Sequence, residues 1–344
     1  MSSISVGVIG TGGMGTRHAQ NLHALVPGAR VSATYDVDTV RAQQVAEDCG
    51  AVAFGDPYAL IADPSVDAVL IASIASTHAP FVKACLEAGK PVLCEKPLAV
   101  TAAEALELVR AEEHLCRQLI SVGLMRRFDP QHLAVKRALD AGRVGKGRMF
   151  KGVHRNPMIP PHLPGDVLVN DSAVHDIDST RWLLGEEVTE AFARGVRTRP
   201  EFSEETVDMM LVQLKLTGEC LSTIEVTVAV EYGYEVSAEV VGERGTVLSA
   251  QTAGATVRAG GVAATDIEQI WLDRFRDAYI DELVEWIASV QKGTAFPGAN
   301  AWDGYMALVV TDACTEALRS GQPVPVPTPQ KPALYGGALE VAHV

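Results

Sequence analysis

The sequence lacks the features of a membrane protein or a nucleic-acid-binding protein. It contains no run of about 18 consecutive apolar residues, the length that a membrane-spanning helix requires. Basic residues are scarce: 29 lysines and arginines face 43 aspartates and glutamates, which leaves a net charge of −14. An acidic chain is repelled by nucleic acid and by anionic membrane surfaces, so neither is expected as a partner.

The sequence also lacks any paired cysteine motif. Its six cysteines show no CxxC spacing, which argues against a zinc site or a disulfide framework and favours buried thiols in a reducing compartment. No metal is therefore predicted. The N-terminus leads directly into a strand, without the basic segment and apolar core of a signal peptide. We therefore expect a cytoplasmic protein.

What the chain does contain is the pattern of two α/β domains. Its 344 residues exceed the length of about 250–300 at which a single core stops growing. Over residues 1–123, short apolar runs alternate with helical segments, which predicts a doubly wound parallel sheet of the Rossmann type that binds a dinucleotide. Over residues 124–344, strand-like runs follow one another with few helices between them. This pattern predicts an α+β domain with a mostly antiparallel open sheet, for substrate binding and oligomerisation.

A glycine-rich turn directly follows the first predicted strand. Strand, GxGxxG and helix occur in the order that the dinucleotide-binding fingerprint requires. The first glycine allows the tight turn, the second lets the backbone approach the pyrophosphate, and the third lets the helix pack against the sheet. The helix N-terminus then faces the anionic phosphates. The cofactor-binding residues predicted in this turn are Gly10, Thr11, Gly12, Gly13, Met14 and Gly15.

Asp36 ends the second predicted strand, about twenty residues beyond the glycines. At this position a carboxylate can accept hydrogen bonds from the adenosine ribose hydroxyls, and it repels a 2′-phosphate. NAD is therefore expected rather than NADP, although Arg41 lies nearby. The alternative is that Asp36 caps the next helix, a role that Asp38 or Thr39 could share.

The tripeptide Glu95-Lys96-Pro97 ends a later strand-like run. A lysine between an acid and a proline, at the tip of a buried strand, is poorly placed for solubility or for core packing. Pro97 fixes its own φ and keeps Lys96 out of the α region, so a stiff backbone directs the lysine side chain. We interpret Lys96 as a catalytic cation beside the bound dinucleotide.

A second candidate site lies at Asp171 and His175, four residues apart on a predicted helix. That spacing places both side chains on one face, where an acid can fix the tautomer of an imidazole and stabilise its protonated form. The alternative is that Asp171 caps the helix and His175 packs or is solvated. Asp176 and Asp178 point to different sides of the helix, so they do not predict a metal site.

These motifs together resemble the glucose-fructose oxidoreductase/inositol dehydrogenase (Gfo/Idh/MocA) family, over nearly the whole chain. Three further segments are similar to its inositol 2-dehydrogenase branch: residues 125–130 (MRRFDP), 154–157 (HRNP) and 232–234 (YGY). One position departs from the branch, because Ile74 stands where an aromatic residue is frequent, four residues before His78. In the family this loop lies near the nicotinamide.

The resemblance implies roles for individual residues. Lys96, Asp171 and His175 would be the catalytic trio, and Ser73, His78 and Glu95 would join the cofactor site together with Lys96. Contacts with substrate hydroxyls would come from the trio and from Arg126, His154, Asn156 and Tyr234. Two alternatives remain open: Arg126 and Arg127 could be a solvated pair, and Tyr234 could be a cross-strand aromatic in the sheet.

The expected function is NAD-dependent oxidation of a secondary hydroxyl of a cyclic polyol, with myo-inositol to 2-keto-myo-inositol as the first choice. Another inositol isomer, an amino-inositol or the 3-hydroxyl of a sugar are alternatives. A non-catalytic dinucleotide sensor is a further one, which the presence of Lys96, Asp171 and His175 argues against. An open sheet face that carries apolar residues predicts a homo-oligomer, and the resemblance implies a homotetramer.

Overall fold

The computed structural model describes residues 3–157, 167–249 and 256–336. The strands are β1 (Ile4–Ile9), β2 (Ala29–Tyr35), β3 (Val52–Ala53), β4 (Ala68–Ile71), β5 (Val92–Glu95), β6 (Ile120–Gly123), β7 (Gly147–Asn156), β8 (Val188–Val196), β9 (Met209–Leu216), β10 (Cys220–Val228), β11 (Glu235–Gly242), β12 (Thr246–Leu248), β13 (Thr256–Ala259), β14 (Val262–Thr265), β15 (Ala299–Asn300) and β16 (Val324–Pro325).

The helices vary widely in length. They are α1 (Gly13–Ala24), α2 (Thr39–Cys49), α3 (Pro57–Ala62), α4 (His78–Glu87), α5 (Ala102–Leu115), α6 (Pro130–Asp140), α7 (Val174–Leu184), α8 (Trp271–Arg274), α9 (Arg276–Lys292) and α10 (Ala301–Ser320). A π-helical turn, Leu168–Ala173, immediately precedes α7.

The chain forms two compact units. The first contains residues 3–125, 278–308 and 329–336, and the second contains residues 126–277 and 309–328 among those described. The predicted contiguous division after residue 123 differs from this one, because most of α9 and the first part of α10 pack with the first unit. Leu283 and Trp286 of α9 lie in the same apolar core as Val8 of β1.

The first unit is the predicted doubly wound sheet. Its strand order is β15-β6-β5-β4-β1-β2-β3, and every pairing is parallel except that of β15 at the edge. β4 is buried along its whole length, which explains why its sequence is a continuous apolar run. A capping box begins α5: Thr101 accepts from the amide of Glu104, and the Glu104 carboxylate accepts from the amide of Thr101.

The second unit contains a seven-stranded sheet in the order β12-β11-β7-β10-β9-β8-β16. All of its pairings are antiparallel except β7 with β10, so the predicted mostly antiparallel sheet is confirmed. One face packs against α7, where the hydroxyls of Ser222 and Thr180 lie 3.0 Å apart. On the other face, Leu211 and Leu221 are about half exposed, at 45% and 50%.

Candidate active site

The glycine-rich turn has the backbone that a dinucleotide requires. Gly10 has φ of +88°, and a Cβ there would come 2.5 Å from the amide nitrogen of Ser73. A Cβ on Gly15 would come 1.7 Å from the carbonyl oxygen of Gly10. Around Gly12 and Gly13, by contrast, a Cβ would meet nothing within 4 Å. The first and last glycines are therefore required by the fold, whereas the space beside the middle pair suits the approach of a pyrophosphate.

Asp36 is held as a buried carboxylate beside this turn. Its Oδ2 accepts from the amide of Thr11 at 2.6 Å, and its Oδ1 accepts from the amide of Asp38 at 2.9 Å and from Arg41 at 2.8 Å. Burial opposes ionisation, but these hydrogen bonds outweigh it and lower the pKa of Asp36. The cap of α2 is Asp38, whose side chain accepts from the amide of Arg41, so the capping alternative for Asp36 is wrong.

A cavity of about 350 Å³ opens next to Asp36 in the first unit. It suits the adenosine ribose, because a ribose diol placed there would face the carboxylate. Residues from the glycine turn, the end of β2 and the loop after β4 line it: Gly10, Gly12, Tyr35, Asp36, Val37, Arg41, Ala72, Ser73, Ile74, Thr77 and Phe81.

Two other predicted cofactor residues, His78 and Glu95, contact neighbouring segments of the first unit. The ring nitrogens of buried His78 lie 2.6 Å from the Pro97 carbonyl oxygen and 3.0 Å from that of Ser73. The Glu95 carboxylate lies 2.7 Å from Nε2 of His18. Lys96 is half-buried directly after β5, and its bond to Pro97 is cis. His78 therefore joins the loop after β4 to the turn that carries Lys96, and direct cofactor contacts of His78 and Glu95 stay a prediction.

Arg126, His154 and Tyr234 come together in the second unit. Arg126 is 1% exposed, and its guanidinium lies 2.6 Å from Oδ1 of the fully buried Asp176 and 3.0 Å from Nδ1 of His154. The hydroxyl of Tyr234 lies 3.0 Å from Nε2 of the same imidazole. Sequence reasoning missed Asp176, which it considered only for a metal site. The three predicted substrate residues thus belong to one buried network built on Asp176.

The charges of this network are fixed by burial and pairing. Burial opposes the ionisation of Asp176, but Arg126 and then His154 outweigh it and lower its pKa. Burial lowers the pKa of His154 and raises that of Tyr234, so both are neutral at pH 7. The network therefore holds one anion against one cation, together with two neutral groups, His154 and Tyr234, that pair with each other.

The arginine next to Arg126 also pairs with α7. Arg127 donates from Nε to the Asp178 carboxylate at 3.0 Å and from its terminal nitrogen at 2.6 Å. The alternative of a solvated arginine pair is therefore wrong. Asp176 and Asp178 each form an ion pair with an arginine of the Met125–Phe128 turn. Within residues 3–157, 167–249 and 256–336, no group of three or more potential ligand side chains is arranged for a metal ion.

Asp171 and His175 lie on one continuous segment. Asp171 is exposed within the π-helical turn, and His175 is buried in the first turn of α7. The N-cap positions of these two elements are occupied by Val167 and Ala173. Asp171 is therefore not the helix cap that the alternative required. Asn156 is half-buried at the end of β7. Lys96 belongs to the first unit and the acid and histidine to the second, so their meeting stays a prediction.

Two family profiles match the chain. Residues 4–124 match the oxidoreductase family with an NAD-binding Rossmann fold, and residues 136–326 match the C-terminal alpha/beta domain of that family. The protein is therefore an NAD-binding oxidoreductase of two domains. It belongs to the Gfo/Idh/MocA family, as its motifs indicated. No helix within the described part of the chain is long and apolar enough to cross a membrane.

Similar proteins match along their full length. An inositol 2-dehydrogenase of Rubrobacter xylanophilus is 49% identical and aligns over 98% of this chain and 97% of its own. Inositol 2-dehydrogenase 2 of Saccharopolyspora erythraea is 43% identical and aligns over 97% of this chain and 98% of its own. The crystal structure of a myo-inositol dehydrogenase from Lactobacillus casei with NAD(H) and myo-inositol superposes with a TM-score of 0.93, at 32% identity, over 97% of this chain and 99% of that one.

Proposed function

We propose that the protein oxidises a secondary hydroxyl of a cyclic polyol, and that its substrate is myo-inositol, converted to 2-keto-myo-inositol. The observation that carries this proposal is the full-length similarity to proteins called inositol 2-dehydrogenase, at 49% and 43% identity. In our proposal Arg126, His154 and Tyr234, which the buried network around Asp176 brings together, contact the substrate hydroxyls.

The reaction needs a hydride acceptor and a proton acceptor. NAD, when bound at the glycine turn and Asp36, supplies the hydride acceptor. In our proposal His175 accepts the hydroxyl proton, and Asp171 orients its imidazole and stabilises the imidazolium. The ammonium of Lys96 donates a hydrogen bond to the same oxygen and stabilises the alkoxide charge that develops there.

The direct test is absorbance of NADH after the protein is mixed with NAD and a panel of polyols. We expect myo-inositol to give the highest kcat/KM, ahead of other inositol isomers, amino-inositols and glycosides. Higher kcat/KM with a glycoside or an amino-inositol would overturn the choice of substrate while leaving the dehydrogenase class intact.

The cofactor preference gives a first prediction. Replacing Asp36 by alanine should raise the KM for NAD about 10-fold or more, since a hydrogen bond to a charged group contributes about 1.5–3 kcal/mol. It should also narrow the preference over NADP, because the carboxylate that repels a 2′-phosphate is gone. The matched control is Asp38→Ala, which removes the exposed cap of α2 and its exposed ion pair with Arg41 and should lower stability by about 1 kcal/mol with little change in KM. A wild type that prefers NADP would contradict this role of Asp36.

The open face of the second sheet gives a second prediction. We propose that copies of the chain pair through this face and form a homotetramer, because Leu211 and Leu221 are about half exposed there, between charged side chains that could form ion pairs with a partner. Val228 is unsuitable as a probe: it is buried and shares the alternation of Ser222, which faces α7. Leu211→Glu combined with Leu221→Glu should instead dissociate the assembly, because both side chains lie on the open face.

The control for that variant is Leu115→Glu, which changes an exposed leucine at the end of α5 in the other unit. Light scattering should report a tetramer for wild type and control, and smaller species for the double variant. A wild-type mass near the 36.6 kDa of one chain at micromolar concentration would contradict the proposal.

A further inference from the structure

A buried cluster of ionisable groups adjoins Lys96 in the first unit. It consists of His18 in α1, Glu95 at the end of β5 and Glu282 in α9. The side chains of His18 and Glu282 are 1% and 0% exposed, and that of Glu95 is 14% exposed. Three ionisable groups are seldom buried together without a reason, since burial of each charge has a cost. Neither the glycine turn nor the proposed proton transfer uses His18 or Glu282.

The carboxylate of Glu95 is fixed on both sides. Its Oε1 lies 2.7 Å from Nε2 of His18, and its Oε2 accepts from the backbone amide of Lys96 at 3.2 Å. Glu95 pairs in register with Gly123 of β6, and a Cβ at that glycine would come 3.1 Å from Oε2. The neighbouring strand thus leaves room for the carboxylate. The contacts tie the backbone that carries Lys96 to the nucleotide-binding helix α1.

The two carboxyl groups of the cluster carry different charges. Burial opposes the ionisation of Glu95, but His18 and then Lys96 outweigh it and lower its pKa. For Glu282, burial and then the charge of Glu95 raise the pKa well above its usual range. Neither carboxyl oxygen of Glu282 has a hydrogen-bond partner among the described residues. At neutral pH, Glu95 is therefore the anion and Glu282 the neutral acid.

The groups that face Glu95 come from three elements. They are His18 from α1, Glu282 from α9, and Cys94 and Lys96 on either side of it in the chain. Burial and then Glu95 raise the pKa of the Cys94 thiol, which stays neutral. Tyr279 packs its ring edge-on against His18, with centroids 5.7 Å apart. Lys96 is therefore the side chain of this group that acts on the Glu95 carboxylate as a neighbouring cation.

We propose that Glu95, held by His18 and by the backbone amide of Lys96, is a positioning residue for Lys96, and that the fully buried Glu282 of α9 is the third member of this cluster. This inference rests on the proposed function, in which the Lys96 ammonium donates to the reacting hydroxyl. A long flexible side chain delivers its charge reproducibly only when its backbone and its counter-ion are fixed. A second carboxylate beside Glu95 would disturb both the charge and the geometry.

The first test is Glu95→Gln. An amide can accept from only one of the two donors that Glu95 serves and carries no charge, while its volume is unchanged. We expect kcat to fall about 10-fold or more while the KM for the polyol stays within about twofold. Glu95→Asp keeps the charge and should restore part of the lost kcat. A Glu95→Gln enzyme with wild-type kcat would overturn the positioning role.

The second test is Glu282→Gln, which should leave kcat at pH 7 within about twofold because the acid is already neutral. The raised pKa means that Glu282 binds more protons in the folded state than in the unfolded state above the ordinary value of 4.5, so its contribution to wild-type stability falls as pH rises from there. The variant has no such loss. Its Tm should exceed that of the wild type by a margin that widens by about 2 °C per pH unit. A constant or shrinking margin would overturn the neutral state of Glu282.

The two proposals fail in different ways. A wild type that binds NADH but oxidises no polyol would overturn the proposed function, and the positioning role of Glu95 with it. The Tm profile of Glu282→Gln requires no turnover, so it decides the charge of the cluster in either case. Normal polyol oxidation together with an unaffected Glu95→Gln variant would overturn the further inference alone.

Discussion

Alanine in place of His175 is expected to lower polyol oxidation at least about 100-fold, the usual minimum for loss of a general base. The imidazole is buried at the start of α7, so water does not readily replace it as proton acceptor. Lys96→Ala should cause a loss of similar size, because the ammonium stabilises charge that develops only in the transition state. Steady-state kinetics with myo-inositol and NAD measure both.

The controls separate chemistry from folding and cofactor binding. His114→Ala removes an exposed histidine at the end of α5 and should leave kcat unchanged. NADH fluorescence should show normal cofactor binding in His175→Ala and His114→Ala, and binding should persist in Lys96→Ala, because the glycine turn and Asp36 are untouched. A base must be unprotonated to act, so wild-type oxidation should rise with pH and His175→Ala should lose that dependence. Near-normal turnover in His175→Ala would rule out the assigned base.

The nucleotide-binding half could be predicted closely because its signals are local. The strand, the glycines and Asp36 lie within the first 36 residues, and each requirement acts between neighbours in the sequence. Gly10 must adopt positive φ, and Gly15 must leave space for the Gly10 carbonyl. The capping box of α5 is local in the same way. A single sequence can therefore specify these features without knowledge of the tertiary fold.

The features that escaped prediction depend on residues far apart in the chain. Arg126 and Asp176 form an ion pair although they are 50 residues apart in the chain. Neither a hydrophobic period nor a sequence motif predicts this pair. The parallel contact between β7 and β10 breaks an otherwise antiparallel pattern and joins strands that are not consecutive. Most of α9 packs with the first unit although it follows the second in sequence. The ion pair, the strand order and the placement of α9 are determined by packing of the whole chain, which hydrophobic periodicity does not encode.

The orientation of β10, by contrast, is encoded in its alternation. One alternation carries Cys220, Ser222, Ile224, Val226 and Val228, and the other carries Leu221, Thr223, Glu225 and Thr227. In the structure the first and more apolar alternation is the covered one, while Leu221 is exposed. The hydroxyl of Ser222, the polar residue on the covered side, is paired with that of Thr180, so its burial is compatible with this orientation.

Loss of either partner of the Arg126–Asp176 ion pair is expected to destabilise the protein by about 3–5 kcal/mol, the range measured when one charge of a buried pair remains alone. Both side chains are at most 1% exposed, so water cannot solvate the remaining charge. Arg126→Ala and Asp176→Ala should each show this loss in urea unfolding at pH 7. The double variant Arg126→Met/Asp176→Leu should lose much less, because it buries no unpaired charge.

The contribution of the Arg126–Asp176 ion pair to stability should decrease as the pH falls. The pKa of Asp176 is lowered from 3.8, so its contribution is present above that value and is lost as pH falls through the folded-state pKa. The stability gap between wild type and Asp176→Ala should therefore shrink on acidification. Lys136→Ala, which breaks an exposed pair with Asp140 on α6, should change stability by less than about 1 kcal/mol. If Arg126→Ala and Asp176→Ala also changed stability by less than about 1 kcal/mol, the buried ion pair would not be what holds His154 and Tyr234 in place.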